Sequence, residues 1–166
     1  DLMEKHDYHD ACIYGHSLEG NFHFIINQSF DTEQEIQRYE NLMNDVIALV
    51  VDKYDGSLKA EHGTGRNMAP FVEYEWGKEA FEVMKAVKKL FDPKNGLNPG
   101  VIFNDDPKCH LKNLKPLPVI ELKNGKTDHK ADKCIECGFC EINCLSAGFT
   151  LSARQRIVSQ REISRL

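Results

Sequence analysis

Four cysteines fall within eleven residues near the end of the 166-residue chain, and their spacing is the most specific chemical signal in it. They are Cys134, Cys137, Cys140 and Cys144. Gaps of two, two and three residues are typical of thiolates that bind a 4Fe-4S cluster, whereas structural zinc usually collects two separated pairs of ligands. We therefore expect a 4Fe-4S cluster, with zinc or unliganded thiols as the alternatives. Cys144 serves either this cluster or a second one elsewhere, as in two-cluster proteins.

Two histidines and a glutamate form a second candidate site. A turn between His16 and His23 would place them opposite each other on adjoining strands, with Cβ atoms roughly 4.5–5.5 Å apart. Glu61, near the end of the next predicted strand, would supply a third ligand. Two histidines and one glutamate form a known catalytic zinc site that keeps a coordination position open. The alternative is that these are surface or half-buried histidines near strand ends, with no metal.

Local patterns predict the elements that position these residues. In chain order they are strands over 11–15 and 22–26, a helix over 33–54, a strand over 57–62, a helix over 78–91 and a last helix within 150–166, capped by Thr150 or Ser152. A capping box of Thr32 and Glu35 predicts where the first helix begins, and Asp92-Pro93 predicts where the second ends. This order predicts an α+β fold, with helices on one face of a mainly antiparallel sheet, followed by a small α-helical iron–sulfur segment.

Composition and charge exclude several functional classes. The chain is 41% apolar and 28% charged, which is ordinary for a soluble domain. Residues 1–107 carry a net charge of −10 and residues 108–166 one of +5, so the larger part repels nucleic acid. The longest apolar run has six residues, against about 20 in a membrane helix. With no signal peptide and no Met at position 1, we expect a cytoplasmic piece of a longer protein.

Three segments together resemble one known family. They are Gly15–His23, Ala60–Gly65 and Leu90–Gly100, which follow the patterns H-x-G-D-G-N-x-H, E-H-G-x-G and L-F-D-P-x-x-x-L-N-P-G. The segments are similar to the C-terminal part of the FAD-linked oxidases, which include the D-lactate, glycolate and D-2-hydroxyglutarate dehydrogenases. Leu18 and Glu19 depart from the first pattern, where the family has glycine and aspartate.

The end of the chain resembles the long members of that family. In those proteins, ferredoxin-type segments follow the flavin enzyme in one polypeptide, as the cysteine run followed by Leu151–Arg156 does here. The resemblance implies residues 1–103 as the C-terminal portion of the substrate (cap) domain, forming its ferredoxin-like half. It further implies residues 104–133 as a linker and 134–166 as the truncated start of an iron–sulfur domain.

The resemblance also implies a role for each residue of the first site. His16, His23 and Glu61 match the ligands of a divalent metal, zinc or manganese; His62 matches the catalytic base; and Asn21 matches a substrate contact. FAD would be bound mainly by an absent upstream domain, so this fragment would be inactive alone.

The implied reaction is oxidation of a D-2-hydroxy acid, with D-lactate to pyruvate as the leading candidate. Electrons would pass from the flavin to the 4Fe-4S cluster and on to an electron acceptor. The remaining partner would be the rest of the same polypeptide, with its FAD-binding domain and a second cluster. Peripheral attachment to the inner face of the membrane is a further possibility. The alternatives are a ferredoxin-like electron-transfer module and a zinc-stabilised interaction module, neither with a substrate of its own.

Overall fold

The computed structural model describes residues 1–114, 118–120 and 130–166. The chain divides into two compact units, Asp1–Leu114 and Lys115–Leu166. Within the predicted linker, residues 115–117 and 121–129 lie outside the described residues. Among the helices that the structure does describe, none has the length and apolar character needed to cross a bilayer.

Four α-helices and one β-hairpin organise the described residues. In chain order they are α1 (Leu2–Lys5), β1 (Cys12–His16), β2 (Asn21–Ile25), α2 (Glu33–Ala48), α3 (Val72–Phe91) and α4 (Ala153–Arg165). Short 3-10 turns lie at Ala69–Phe71, Cys109–Leu111 and Glu141–Asn143. The predicted α+β class is confirmed, although the sheet in the described part of the chain has only two strands.

The predicted strand over 57–62 is wrong. The segment forms turns, in which the backbone N–H of His62 donates to the carbonyl of Lys59 at 3.1 Å and Ala60 adopts a φ of 41°. The N–H of Leu58 donates to a carboxylate oxygen of Glu75 at 3.2 Å. Because these backbone groups find local and side-chain partners, the segment does not extend along the hairpin.

Helix α2 begins where the sequence predicted, at the capping box of Thr32 and Glu35. It continues as a π-helical stretch over Leu49–Lys53 and stops before Asp55-Gly56, close to the predicted end. Leu42 of α2 is fully buried against Met3 and Tyr8. The partly buried Phe24, Ile26 and Val46 complete this cluster, so α2 supports one side of the hairpin.

Helix α3 starts earlier than the predicted residue 78. Its first turn, from Val72, is separated from the rest by Gly77, whose backbone (φ 76°, ψ 160°) is not helical. The helix ends at Phe91, as Asp92-Pro93 predicted. There the Asp92 carboxylate accepts hydrogen bonds from Lys88 and from two following backbone N–H groups, which lower its pKa to about 2.

Helix α4 is the main element of the second unit. Ser152 caps it, its hydroxyl accepting from the N–H of Gln155 while the Gln155 side chain accepts from the Ser152 N–H. This confirms one of the two predicted caps. The four cysteines precede α4 in a stretch of turns with a single short 3-10 segment.

Candidate functional site

The hairpin register corrects the predicted placement of the two histidines. His16 pairs with Asn21 and His23 with Tyr14, so the histidines are diagonal neighbours and not opposite each other. The reason is a four-residue turn, closed by the Asn21 side-chain oxygen, which accepts from the N–H of His16 at 3.1 Å. The diagonal offset still leaves both on one face, with ring centroids 5.4 Å apart and planes at 89°.

Glu61 reaches this pair from the turn after α2. One carboxylate oxygen lies 3.5 Å from Nε2 of His16, and the other lies 3.1 Å from Nε2 of His23. The ligand atoms of the three residues all fall within 4.8 Å of one another. Within residues 1–114, 118–120 and 130–166, this is the only group of three or more such side chains that is close enough to share a metal ion.

The imidazole of His23 supports a fit to a metal ion. Among the residues that the structure describes, its buried Nε2 has no hydrogen-bond partner, because the nearby Glu61 carboxylate is not aligned for a hydrogen bond. A buried nitrogen with a free lone pair suits coordination, and two histidines with one carboxylate match a catalytic zinc set.

The electrostatics keep Glu61 ionised. Desolvation alone would raise the pKa of this carboxyl, but His16, His23 and His62 act together with a hydrogen bond from Asn21 to lower it. A carboxyl group must be deprotonated to ligate a metal, so the surroundings favour the ligand form.

His62 and Asn21 adjoin the trio in different ways. Nε2 of His62 lies 3.3 Å from the Glu61 carboxylate, and its side chain is 73% exposed. The Asn21 amide donates to Glu61 at 3.4 Å while its oxygen holds the His16 N–H. Both polar groups of Asn21 are therefore occupied in building the site, and its predicted contact with substrate stays a prediction.

A cavity of about 510 Å³ opens beside the histidines. His23 and His62 line it together with apolar side chains, among them Phe24, Tyr39, Met43 and Val46. The sequence did not predict this cavity, although several of its lining residues belong to the amphipathic pattern of α2. Their helical spacing gave no sign of it, because an apolar face looks the same whether it meets a core or lines a cavity.

The four cysteines of the second unit are free thiols. Cys134 and Cys144 are partly buried, while Cys137 and Cys140 are exposed. No three of their sulfurs lie within 4.8 Å of one another among the described residues.

The surroundings of Cys144 favour its thiolate form. Hydrogen bonds from the Ser146 hydroxyl, from the N–H of Ala153 at the start of α4 and from two further backbone N–H groups lower its pKa to about 7. The thiolate is the metal-binding form of cysteine. Gly138, at a φ of 81°, turns the backbone between the second and third cysteines.

Comparison with known proteins places the first unit in a family. The model of the FAD linked oxidases, C-terminal domain, matches residues 1–102, a range that includes the histidine–glutamate site and excludes the cysteines. No solved structure gives a significant match.

Several curated relatives are similar to the chain. Glycolate oxidase subunit GlcD of Bacillus subtilis is 34% identical over 64% of this chain and 22% of its own length. D-2-hydroxyglutarate dehydrogenase of Stutzerimonas stutzeri is 37% identical over 54% of this chain and 20% of its own. The mitochondrial cytochrome-linked D-lactate dehydrogenase of Arabidopsis thaliana is 37% identical over 56% and 16%.

The chain spans about a fifth of the length of these relatives. The family match nevertheless covers well over half of the chain itself. This protein therefore belongs to the FAD-linked oxidases, and its residues 1–102 are the C-terminal domain of that family.

Proposed function

We propose that this chain is part of an FAD-dependent dehydrogenase that oxidises a D-2-hydroxy acid, with D-lactate as the leading candidate, and passes the electrons to a 4Fe-4S cluster. One observation carries the proposal: the ligand atoms of His16, His23 and Glu61 lie within 4.8 Å of one another, with His62 beside them. The curated relatives are named for glycolate, D-2-hydroxyglutarate and D-lactate, which supports this substrate class.

The residues of the first unit divide the work of binding and proton transfer. His16, His23 and Glu61 hold a divalent metal, zinc or manganese, which supplies Lewis-acid polarisation of the substrate hydroxyl when bound. Nε2 of His62 takes the hydroxyl proton, because imidazole is the side chain that most often serves as a general base. Asn21 keeps Glu61 and the hairpin turn in place and contacts the substrate. The neighbouring cavity shields the carbon atoms of the substrate from water.

FAD, bound mainly by a domain outside this chain, supplies the hydride acceptor. Cys134, Cys137, Cys140 and Cys144 hold the cluster, which supplies one-electron transfer. The low pKa of Cys144 supports its role as a thiolate ligand, and the gaps of two, two and three residues favour a cluster over zinc. The whole protein would add a second cluster and an electron acceptor, and this chain alone would not turn over substrate.

The proposed organisation follows these roles. Residues 1–103 form the end of the substrate domain, 104–133 link it onward, and 134–166 begin the iron–sulfur domain. We place the protein in the cytoplasm, with peripheral attachment to the inner face of the membrane left to experiment.

The test is the iron, acid-labile sulfide, zinc and manganese content of the 166-residue chain purified without oxygen. We expect iron and sulfide in near-equal amounts, lost in Cys137→Ala. We also expect zinc or manganese binding that is lost in Glu61→Gln and kept in Glu79→Gln, a matched change at an exposed position of α3.

Two results would reject parts of the proposal. Zinc without sulfide, reduced in Cys137→Ala, would reject the cluster and favour a zinc-stabilised interaction module. Unchanged zinc and manganese binding in Glu61→Gln would show that the metal does not bind at the first site. If the cluster were present, a ferredoxin-like electron-transfer module would then be favoured.

A further inference from the structure

A buried arginine of α4 holds the turn that begins the cysteine run. Arg161 is only 4% exposed, and one of its terminal nitrogens donates to the Glu136 carboxylate at 2.9 Å. The other donates to the backbone carbonyls of Cys134 at 2.8 Å and Asp132 at 3.2 Å. The guanidinium thus joins three points of one turn to a single helix.

Burial of the Arg161–Glu136 ion pair costs free energy of desolvation. Burying a charged pair removes both ions from water, and a close partner with further hydrogen bonds is needed to offset that cost. The side chains of Arg161 and Glu136 are 5% and 6% exposed. Since the described part of the second unit has only two other buried residues, Ile120 and Ser152, the pair occupies much of its interior.

The backbone of the same turn is also strained. Glu136, between the first two cysteines, has a φ of 60°, a conformation that an ordinary side chain rarely adopts and that persists only when its surroundings enforce it. The Glu136 carboxylate and the Cys134 carbonyl are both held by Arg161. The arginine is therefore placed to enforce this conformation.

The start of α4 makes a second attachment to the cysteine run. The Ser152 hydroxyl donates to Glu141 at 2.6 Å, and the Arg154 guanidinium lies 3.0 Å from the same carboxylate oxygen. Glu141 follows Cys140 directly. The cysteine run is thus held to α4 near its first, third and fourth cysteines, with the buried Arg161 at the first.

We propose that Arg161 is a positioning residue for the iron–sulfur site: it sets the shape of the Cys134–Cys137 turn for cluster binding and contributes positive charge that raises the reduction potential of the cluster. The inference rests on the proposed 4Fe-4S cluster. Three bonds from one planar guanidinium require arginine, because the compact ammonium of lysine cannot reproduce the fork.

The experiment compares variants of the 166-residue chain after anaerobic loading with iron and sulfide. The variants are Arg161→Met, Arg161→Lys, Glu136→Gln and the control Arg165→Met, an exposed arginine of α4 paired with Glu162. The readouts are the rate of iron loss to a chelator and the midpoint potential of the cluster.

We expect Arg161→Met to lose iron about tenfold faster or more, as for other outer-shell changes at metal sites. Its potential should fall, because the positive charge of Arg161 is removed while the negative charge of Glu136 stays, whereas Glu136→Gln should raise the potential. Arg161→Lys should keep the potential near the wild-type value yet lose iron faster. Arg165→Met should match the wild type in both readouts.

A general loss of folding would not lower the cluster's reduction potential in Arg161→Met and raise it in Glu136→Gln. Opposite shifts in these two variants therefore support the proposed role of Arg161 in positioning and charge. If Arg161→Met does not fold, as judged by circular dichroism, the lysine and Glu136→Gln variants carry the same test. Equal potentials in Glu136→Gln and the wild type, together with unchanged iron loss in Arg161→Lys, would overturn the inference. Absence of iron and sulfide from the wild-type chain would instead overturn the proposed cluster.

Discussion

Glu61 is the residue on which the first site depends. Its carboxylate lies within 3.5 Å of an imidazole nitrogen on each of His16, His23 and His62. Without it, three imidazoles would face one another with no negative charge to balance their protonated forms. His62 stays accessible, since its side chain is 73% exposed whereas that of His23 is 12% exposed.

The His62→Ala change in the full-length protein should reduce turnover on D-lactate by about 10²- to 10⁴-fold, the usual contribution of a general base. Bound FAD should be retained, as measured by its absorbance after gel filtration. The control is His9→Ala, an exposed histidine paired with Glu4 outside the site. Near-normal turnover in His62→Ala would remove this residue from the base role.

In both the hairpin and α3, a single residue determines the local course of the backbone. In the hairpin, Asn21 closes a four-residue turn and thereby decides which side chains share a face with His23. In α3, Gly77 separates the first turn from the long amphipathic part that the sequence predicted from residue 78. A φ of 76° with ψ near 160° is open essentially to glycine alone.

We therefore expect Gly77→Ala to lower the free energy of unfolding by about 1–3 kcal/mol, measured by urea denaturation followed at 222 nm. Gly96→Ala is the matched control. That residue has no left-handed φ and only one atom at 3.9 Å from an added Cβ, so its change should stay within about 0.5 kcal/mol. A Gly77→Ala protein that is as stable as the wild type and more helical would show that the break in α3 is dispensable.

The two units are built on different physical principles. The first has an apolar core that includes Met3, Tyr8 and Leu42. The described residues of the second bury one apolar side chain, Ile120, beside the polar Ser152 and Arg161. Large apolar side chains around its cysteines are instead 78–99% exposed: Ile135, Phe139, Ile142, Leu145 and Phe149. So small a core rarely sustains folding without a metal or another staple.

If the second unit holds the proposed cluster, its removal should therefore unfold that unit and leave the first intact, because metal binding and folding are coupled in such domains. Hydrogen exchange after anaerobic chelation should show loss of amide protection in α4, while α2 stays protected as an internal control. Cys137→Ala should reproduce the loss without chelator. Full protection of α4 in the cluster-free chain would contradict the coupling.

The parts of the fold that depend on near neighbours were predictable. The capping box of α2, one of the two predicted caps of α4, the hairpin and the stop at Asp92-Pro93 follow from residues within a few positions of one another, since capping and turn formation are short-range effects. The residues that carry the family resemblance could also be identified from the sequence, because a motif is defined by residue types and their spacing.

Other features required contacts between distant segments. Glu61 approaches His23 from another part of the chain, and Leu58, in the turn that replaces the expected strand at 57–62, donates its N–H to Glu75 of α3. The diagonal placement of His16 and His23, in contrast, is set locally by the hairpin turn that Asn21 closes. Arg161 offered no warning either: a surface arginine and one that is 4% exposed look identical in sequence. Side-chain chemistry is local, but burial and register depend on what packs from elsewhere in the chain, which a linear pattern does not record.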